Sequence, residues 1–204
     1  MKAGVKFAAL VLAVTCMLPF VGCKKDDRQA SSGALSYDGV VITDCVRLGA
    51  YEGLTVTLSS SDADKGEAVW AAVRSGCEIL HYPEEAVAYY LSQAEARCRY
   101  YAKEHDITEE EAMTALQTSR TEMEADAKRM VADDLIVLAV QTNADITLTA
   151  EEKERLFDKY VDKYVSDFGY DHDYVKKNLS NLIYESMLYD KTTEYLILKN
   201  TFVS

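Results

Sequence analysis

The sequence predicts a mainly α-helical protein with short extended segments on the N-terminal side of its folded part. Proline occurs only twice, at Pro19 and Pro83, and nine glycines are spread over 204 residues, so few positions interrupt a helix. Two capping boxes, each a threonine followed three residues later by a glutamate, begin at Thr108 and Thr149 and mark helix starts. The chain is long enough to bury a core in one elongated or two small domains.

The extended segments come first along the chain. Three short runs rich in β-branched residues, at positions 40–42, 46–48 and 54–58, are bounded by glycines and are typical of short strands. Residues 59–62 supply turn and N-cap side chains, so a helix should begin after them. Gly76 is placed to end that helix.

The rest of the chain predicts five helices separated by capping signals. Pro83 suits a first helical turn, and the two glutamates after it favour the positive end of the helix dipole. Residues 135–140 are apolar on every side and should be deeply packed. The expected helices span residues 83 to about 104, a short stretch after Thr108, residues 121–142, residues 150–168 closed by Gly169, and residues 179–199.

The first two dozen residues resemble a bacterial lipoprotein signal. Lys2 and Lys6 precede an apolar run, residues 7–20, that is shorter than the roughly 20 apolar residues needed to cross a bilayer. A glycine directly before Cys23 fits the cleavage site of such signals. Phe20 departs from the pattern, which usually has leucine three residues before the cysteine.

This resemblance implies an extracytoplasmic protein that is lipid-anchored to the cell membrane. The alternatives are an uncleaved anchor or an ordinary secretory peptide cut near Ala13 or Gly22, and both also place the folded part outside the cytoplasm. The predicted organisation is a signal peptide at 1–22, lipidation at Cys23, a flexible tether at 23–36 and a helical domain at 37–204.

The excess of acidic residues restricts the kinds of partner that the sequence predicts. The chain has 22 basic and 34 acidic residues, which gives a formal net charge of −12. A surface of that sign repels phosphate backbones and anionic lipid headgroups. We therefore expect no nucleic-acid partner, and we expect contact with the membrane through the lipid anchor.

Three cysteines, Cys45, Cys77 and Cys98, lie in the predicted helical domain. An odd number in a secreted protein raises the possibility of a reactive thiol, but no Cys-x-x-Cys motif or neighbouring histidine supports it. Because free cysteine often packs as a small apolar residue, we interpret the three as buried or incidental thiols.

Motifs that would indicate catalysis are absent from the sequence. The histidines, at positions 81, 105 and 172, have no zinc-ligand spacing, and His172 between two aspartates fits a solvated helix start. No nucleophile elbow, phosphate loop or calcium loop occurs. We predict no catalytic residues, no metal and no other cofactor, and we interpret the chain as a non-enzyme.

Several segments resemble trigger factor in the same order along the chain. Residues 46–56, VRLGAYEGLTV, resemble the segment that enters the isomerase region of that family. Residues 82–87 resemble the start of one arm of its C-terminal chaperone domain. Residues 145–152 resemble a linker with its helix cap, and residues 186–196 resemble the closing helix. The match covers about residues 46–203.

The resemblance implies an elongated multi-helix domain of the trigger factor C-terminal or SurA-like chaperone type. Only residues 59–66 separate the first matching segment from the helices, and an isomerase domain of roughly a hundred residues does not fit there. A ribosome-binding domain is also missing from the pattern. The implied function is a membrane-anchored, extracytoplasmic chaperone-like protein that assists protein folding or export. Its partners would be unfolded or partly folded secreted polypeptides.

Two other functions stay open from the sequence. One is a component of a peptidyl-prolyl isomerase or another foldase. The other is an anchored interaction module for a specific envelope partner. An exposed apolar concavity favours the chaperone, whereas a flat patch on a rigid helix pair favours the interaction module.

Aromatic and methionine side chains are the candidates for client contact. Adjacent tyrosines on a helix lie on different faces, so both members of a pair cannot enter one core. Tyrosine and methionine suit weak contacts with many sequences. The alternative interpretation is that these side chains belong to the core or its boundary. The predicted client-binding residues are Tyr89, Tyr90, Tyr100, Tyr101, Met113 and Met123.

The lipid anchor gives a direct test. We expect Cys23→Ser to leave an unprocessed or released protein, because the thioether linkage to lipid needs the cysteine sulfur. Detergent-phase partitioning and the mass of the mature N-terminus measure both effects. A variant that is still cleaved and still partitions with membranes contradicts the lipoprotein interpretation.

Overall fold

The computed structural model describes residue 37, residues 39–60 and residues 62–203. The predicted signal peptide, Cys23 and the tether lie outside these residues. The described part is mainly α-helical, as the sequence predicts. Its helices are α1 (Ile42–Cys45), α2 (Lys65–Ser75), α3 (Glu84–His105), α4 (Glu109–Ala115), α5 (Arg120–Asn143), α6 (Ala150–Phe168), α7 (His172–Asn178) and α8 (Ser180–Lys199). Its strands are β1 (Val46–Arg47), β2 (Thr55–Thr57), β3 (Glu78–Ile79) and β4 (Thr201–Val203).

The strands form two small sheets. Strand β1 pairs antiparallel with β3, with Val46 opposite Ile79. Strand β2 pairs in parallel with β4, with Val56 opposite Phe202, so the C-terminal end of the chain lies beside its N-terminal part. The runs 46–48 and 54–58 are confirmed as the positions of β1 and β2.

The prediction of an extended segment at 40–42 is wrong for its last residue, because Ile42 begins the single helical turn α1. The amide of Asp44 donates to the carbonyl of Val41 at 2.9 Å. This turn packs against α5, and it buries Cys45. Tertiary packing therefore overrides the β preference of the branched side chains.

Helix α2 begins later than the sequence predicts. Its N-cap is Asp64, whose Oδ1 accepts hydrogen bonds from the amides of Gly66 at 2.8 Å and Glu67 at 3.0 Å. The predicted end is confirmed, since Gly76 is the C-cap. A Cβ atom on Gly49 would lie 2.2 Å from the carbonyl oxygen of Gly76, so the two backbones approach as closely as only glycine allows there.

Both capping boxes are confirmed. Thr108 caps α4 with Glu111, and Thr149 caps α6 with Glu152, each pair exchanging side-chain and backbone hydrogen bonds. Gly169 ends α6 with φ of 69°, a left-handed conformation that glycine adopts without strain. The long predicted helices agree with α3, α5, α6 and α8 to within one or two residues.

The larger apolar core lies where α1, α2, α3, α5 and the C-terminal half of α8 meet. Its fully buried side chains include Trp70, Leu135, Val140 and Leu196. The prediction for residues 135–140 is confirmed in large part: four of the six are buried and two are half-buried. Helices α3 and α4 extend from this core along α5, and we call α3, α4 and α5 the first helix group.

A second, separate core lies between α6, α7 and the N-terminal half of α8. It is built from five buried side chains: Val161, Tyr164, Val175, Ile183 and Met187. We call α6, α7 and α8 the second helix group. Helix α8 takes part in both cores, because Ile183 and Met187 near its start enter the second core and Leu196 near its end enters the larger one.

The two cores predict a selective effect of truncation. We expect Ile183→Ala to lower the free energy of unfolding by about 2–5 kcal/mol through the cavity it leaves. Amide hydrogen exchange should speed up mainly in α6 and α7. Leu135→Ala is the matched control for the larger core and should speed up exchange mainly in α2, α3 and α5. Equal exchange changes throughout the protein for both variants would show that the two cores unfold as one unit.

Candidate functional site

Helices α5 and α8 run past each other in the same direction. Gln141 on α5 donates from Nε2 to Oγ1 of Thr192 on α8 at 3.2 Å, and both side chains are buried. Asp134 lies seven residues before Gln141, and Glu185 lies seven residues before Thr192. Seven residues are close to two helical turns, so each carboxylate lies on the same helix face as the hydrogen-bonded residue above it.

These carboxylates mark the point where the two helix groups separate. Towards its N-terminus, α5 packs with α3 and α4, whereas α8 packs with α6 and α7. We call the space between the two groups the fork, and Asp134 and Glu185 lie at its closed end. The charge of Asp134 acts on the pKa of Glu185, which agrees with this proximity.

Asp134 is held by two tyrosines. The hydroxyls of Tyr37 and Tyr90 both donate to its Oδ2, at 2.9 Å and 2.6 Å. Burial raises the pKa of Asp134 to about 6, against the lowering effect of the two hydrogen bonds. Burial and the Asp134 charge also raise the pKa of each tyrosine, so both hydroxyls stay protonated as donors. Tyr37, α3 and α5 are thus joined at one oxygen atom.

Glu185 has a different environment. It forms no hydrogen bond or ion pair within the part of the chain that the structure describes. Its side chain is open to solvent, yet the surrounding protein reduces its hydration, and this effect together with the charge of Asp134 raises its pKa to about 7.

Arg74 and Trp70 on α2 attach that helix to α5 and α8 beside Asp134. Arg74 places Nε 2.7 Å from Oδ1 of Asp133 without the angle of a hydrogen bond, so the contact is an ion pair. The Trp70 ring stacks on Tyr189 at 5.4 Å, and its Nε1 donates to Oγ1 of Thr193 at 2.8 Å. Arg74 pairs with Asp133, and among the residues that the structure describes neither Asp134 nor Glu185 forms an ion pair with a cation.

The second helix group repeats the tyrosine–carboxylate contact. The hydroxyl of Tyr160 donates to Oδ2 of Asp190 at 2.7 Å, and Tyr164 and Ser186 share a hydrogen bond of 2.7 Å. Burial raises the pKa of Asp190, and the Tyr160 hydrogen bond opposes that shift. These contacts fix α6 on the face of α8 that points away from α5.

Lys191 attaches the start of α6 to α8. Its Nζ donates to the carbonyl of Thr147 at 2.8 Å and to the Glu152 carboxylate at 2.7 Å and 2.8 Å. The Lys191 hydrogen bond, together with the cap at Thr149, lowers the pKa of Glu152 to about 2. The capping glutamate found in the sequence therefore also forms an ion pair that the sequence did not reveal.

The predicted client-binding residues fall into two sets. Tyr90 and Met123 are buried, so the prediction that these two offer an accessible surface is wrong. Tyr90 instead completes the Asp134 contact, and Met123 packs on the inner face of α5. The other four candidates are half-buried: Tyr89, Tyr100, Tyr101 and Met113. Binding of clients by these four stays a prediction.

The histidines have separate surroundings. The His105 ring contacts the Tyr101 ring at 4.2 Å, and His172 Nε2 lies 3.3 Å from Oδ1 of Asp162. His172 is the first residue of α7, which confirms the helix-start interpretation. Across residues 37, 39–60 and 62–203, no three His, Cys, Asp or Glu side chains are arranged to hold a metal ion.

The cysteines agree with the sequence interpretation. Cys45 and Cys98 are buried free thiols, and Cys77 is a half-buried one. Burial raises the pKa of Cys45 and of Cys98, which makes the reactive thiolate scarcer at neutral pH. No helix within the described residues has the length and apolar character needed to cross a bilayer.

Sequence reasoning missed the carboxylates of the fork. Asp134 directly precedes the apolar stretch 135–140, and a charged residue at the edge of a deeply buried helix segment is a usable signal. Glu185 gives no such signal, because its neighbours follow an ordinary amphipathic pattern. Tyr37 was identified only as the start of the domain.

No family model, curated protein or solved structure matches the chain. The fold and the site define it by architecture, as a mainly α-helical protein in which one C-terminal helix belongs to two apolar cores. An acidic, tyrosine-lined junction lies where the two helix groups separate.

Asp134 predicts a pH dependence of stability. The ordinary pKa of an aspartate is 3.8, and that of Asp134 in the folded protein is about 6. The folded protein therefore binds this proton more tightly than the unfolded chain does. The stabilisation that comes from this proton is fully present below about pH 3.8, the ordinary pKa. It is lost as the pH rises from there through the folded-state pKa of about 6. We expect Asp134→Asn to flatten the fall in the free energy of unfolding between about pH 4 and about pH 7, by at most about 3 kcal/mol.

Urea denaturation over that pH range measures this effect. Asp126→Asn is the control, because Asp126 is an exposed residue on the same helix that pairs with Arg129. The control should keep the pH slope of the original protein. An unchanged slope in Asp134→Asn would contradict the assignment of a raised pKa to Asp134.

Proposed function

We propose that this protein is a membrane-anchored, extracytoplasmic chaperone-like protein that binds non-native polypeptides and assists protein folding or export. The observation that carries the proposal is the fork, formed by two helix groups with separate cores and a shared helix. In the trigger factor C-terminal domain, which segments of this chain resemble, helical arms hold unfolded segments through apolar patches with polar rims.

Each helix group carries partly exposed aromatic side chains. In the first group, Tyr101 contacts His105 near the end of α3, and Met113 lies half-buried on α4. In the second group, Tyr170 stacks with Tyr174 at 5.8 Å, and Tyr174 is 40% exposed. Such rings give apolar contact area and keep a polar hydroxyl for hydrogen bonds, which suits weak binding of many sequences.

The polar character of the junction supports transient binding. The fork is closed by carboxylates and tyrosine hydroxyls, so a client does not meet a large continuous apolar surface. Large exposed apolar patches on a chaperone-like protein promote its own aggregation. Polar groups between smaller aromatic clusters favour contacts that form and release readily.

Client binding is tested with the soluble mature chain and several unrelated, chemically unfolded proteins. We expect the chain to suppress their aggregation, and we expect Tyr101→Ser with Met113→Ser to weaken that suppression because half-exposed apolar contact area is lost. Light scattering during dilution from denaturant measures suppression at several molar ratios.

Leu198→Ser is the matched control, since Leu198 is 84% exposed on α8 and is not among the predicted client-binding residues. It should leave suppression unchanged. Thermal melts of all variants separate lost binding from lost structure, because surface substitutions usually change stability by about 0.5 kcal/mol or less. A chain that fails to suppress aggregation of any tested protein contradicts the proposed function.

A further inference from the structure

The two-stranded sheet of β2 and β4 has a free side along β4. The Thr201 amide donates to the Leu54 carbonyl at 2.9 Å, and the Leu58 amide donates to the Val203 carbonyl at 2.7 Å. Successive residues of a strand direct their backbone groups to opposite sides, so Phe202 directs its N–H and C=O groups away from β2. Those two groups have no backbone partner within the part of the chain that the structure describes. We call this side of β4 the β4 edge.

The sheet is open to solvent on one face as well. Val56 on β2 is buried and Phe202 opposite it is half-buried, so these two side chains face the larger core. The side chains on the other face are exposed: Thr55, Thr57, Thr201 and Val203. A parallel sheet is normally covered on both faces, and an exposed strand edge is a template for pairing with another chain. The β4 edge therefore has the geometry of an acceptor for one more strand.

Hydrogen bonds hold the β4 edge in its extended conformation before any partner binds. Asn200, which precedes β4, donates from Nδ2 to the Tyr51 carbonyl at 2.9 Å and accepts at Oδ1 from the Leu54 amide at 2.7 Å. The Gly53 amide donates to the Lys199 carbonyl at 3.1 Å. Because β4 is already ordered, binding of a partner strand loses little conformational entropy on this side.

Two lysines beside the β4 edge bear on the kind of strand it accepts. Lys65 at the start of α2 places Nζ 5.3 Å from the centre of the Phe202 ring, and Lys199 lies two residues before β4. Both lysines are exposed, and neither forms an ion pair with another described residue. Two acidic neighbours along the chain are already engaged, since Asp64 accepts from helix amides and Glu52 accepts from a tyrosine hydroxyl. The β4 edge therefore presents positive charge on a chain that is acidic as a whole.

This charge disfavours pairing of the β4 edge with the same edge of a second copy. Antiparallel pairing about Phe202 would bring Lys65 of both copies to one sheet, and like charges there are destabilising. An acidic residue opposite Phe202 would instead point to the same face as the Phe202 ring, within reach of Lys65. Main-chain hydrogen bonds to Phe202 would supply affinity for an extended backbone, and the lysines would select its charge.

We propose that the β4 edge binds an extended, acidic segment of another polypeptide as a third strand, with its backbone paired to Phe202 and a carboxylate beside Lys65. The remaining client-binding candidates lie on α3 and α4, and the proposal does not depend on client binding.

Exchange of individual amide hydrogens, measured by nuclear magnetic resonance on the full chain in detergent, tests the pairing. The probe is a short synthetic peptide of alternating threonine and valine with one central glutamate. In the free chain the Phe202 amide should exchange fast, whereas the Thr201 amide, which is bonded to Leu54, should be protected. We expect saturating peptide to slow exchange of the Phe202 amide by about tenfold or more, because it gains a hydrogen-bond partner.

Three other results of this measurement overturn the proposal. Protection of the Thr55 and Thr57 amides in place of the Phe202 amide would assign the partner strand to β2. Protection of Phe202 that grows with chain concentration in the absence of peptide would identify a second copy as the occupant. Unchanged exchange throughout the sheet would show that no strand is added.

Charge reversal tests the selectivity. A second peptide carries lysine in place of the central glutamate, and we expect it to bind about fivefold more weakly. Lys65→Glu should reverse that order, and the variant should fold because glutamate suits the first turn of α2. Lys128→Glu, at an exposed position on α5, makes the same change in net charge and should keep the original order.

Fluorescence anisotropy of the labelled peptides gives the dissociation constants, and far-ultraviolet circular dichroism confirms that each variant is folded. Equal binding of the two peptides, or a Lys65→Glu variant that keeps the original preference, overturns the proposal.

Discussion

The structure depends on the sharing of helix α8 between two apolar cores. A helix of 20 residues is about 30 Å long, so its two ends can enter cores that do not touch. Ile183 and Met187 hold the second helix group on its N-terminal half, and Leu196 holds the C-terminal half in the larger core. Removing α8 would leave each core without one wall.

The junction between the cores is polar, and its polar groups are paired with few exceptions. A buried carboxylate is costly unless hydrogen bonds or charges compensate it. Two tyrosine hydroxyls compensate Asp134, Tyr160 compensates Asp190, and Arg74 compensates Asp133. Glu185 is the exception, and its openness to solvent is what makes an unpaired carboxylate tolerable there.

This arrangement bears on the proposed binding function. Two helix groups joined at one end form a space whose width depends on the angle between α5 and α8. In the proposed function, aromatic side chains on both groups would contact a client.

Local signals in the sequence determined the helices, their ends and the apolar stretch at 135–140. A capping box, a glycine in the left-handed region or a proline in a first turn acts through hydrogen bonds and sterics within a few residues, so each can be recognised without knowing the fold. Only the tertiary structure decided that Tyr90 lies inside, that residues 42–45 form a helical turn, and that Tyr37 and Tyr90 both donate to Asp134. Those features arise from packing between segments far apart in the chain, whose mutual positions no local pattern encodes.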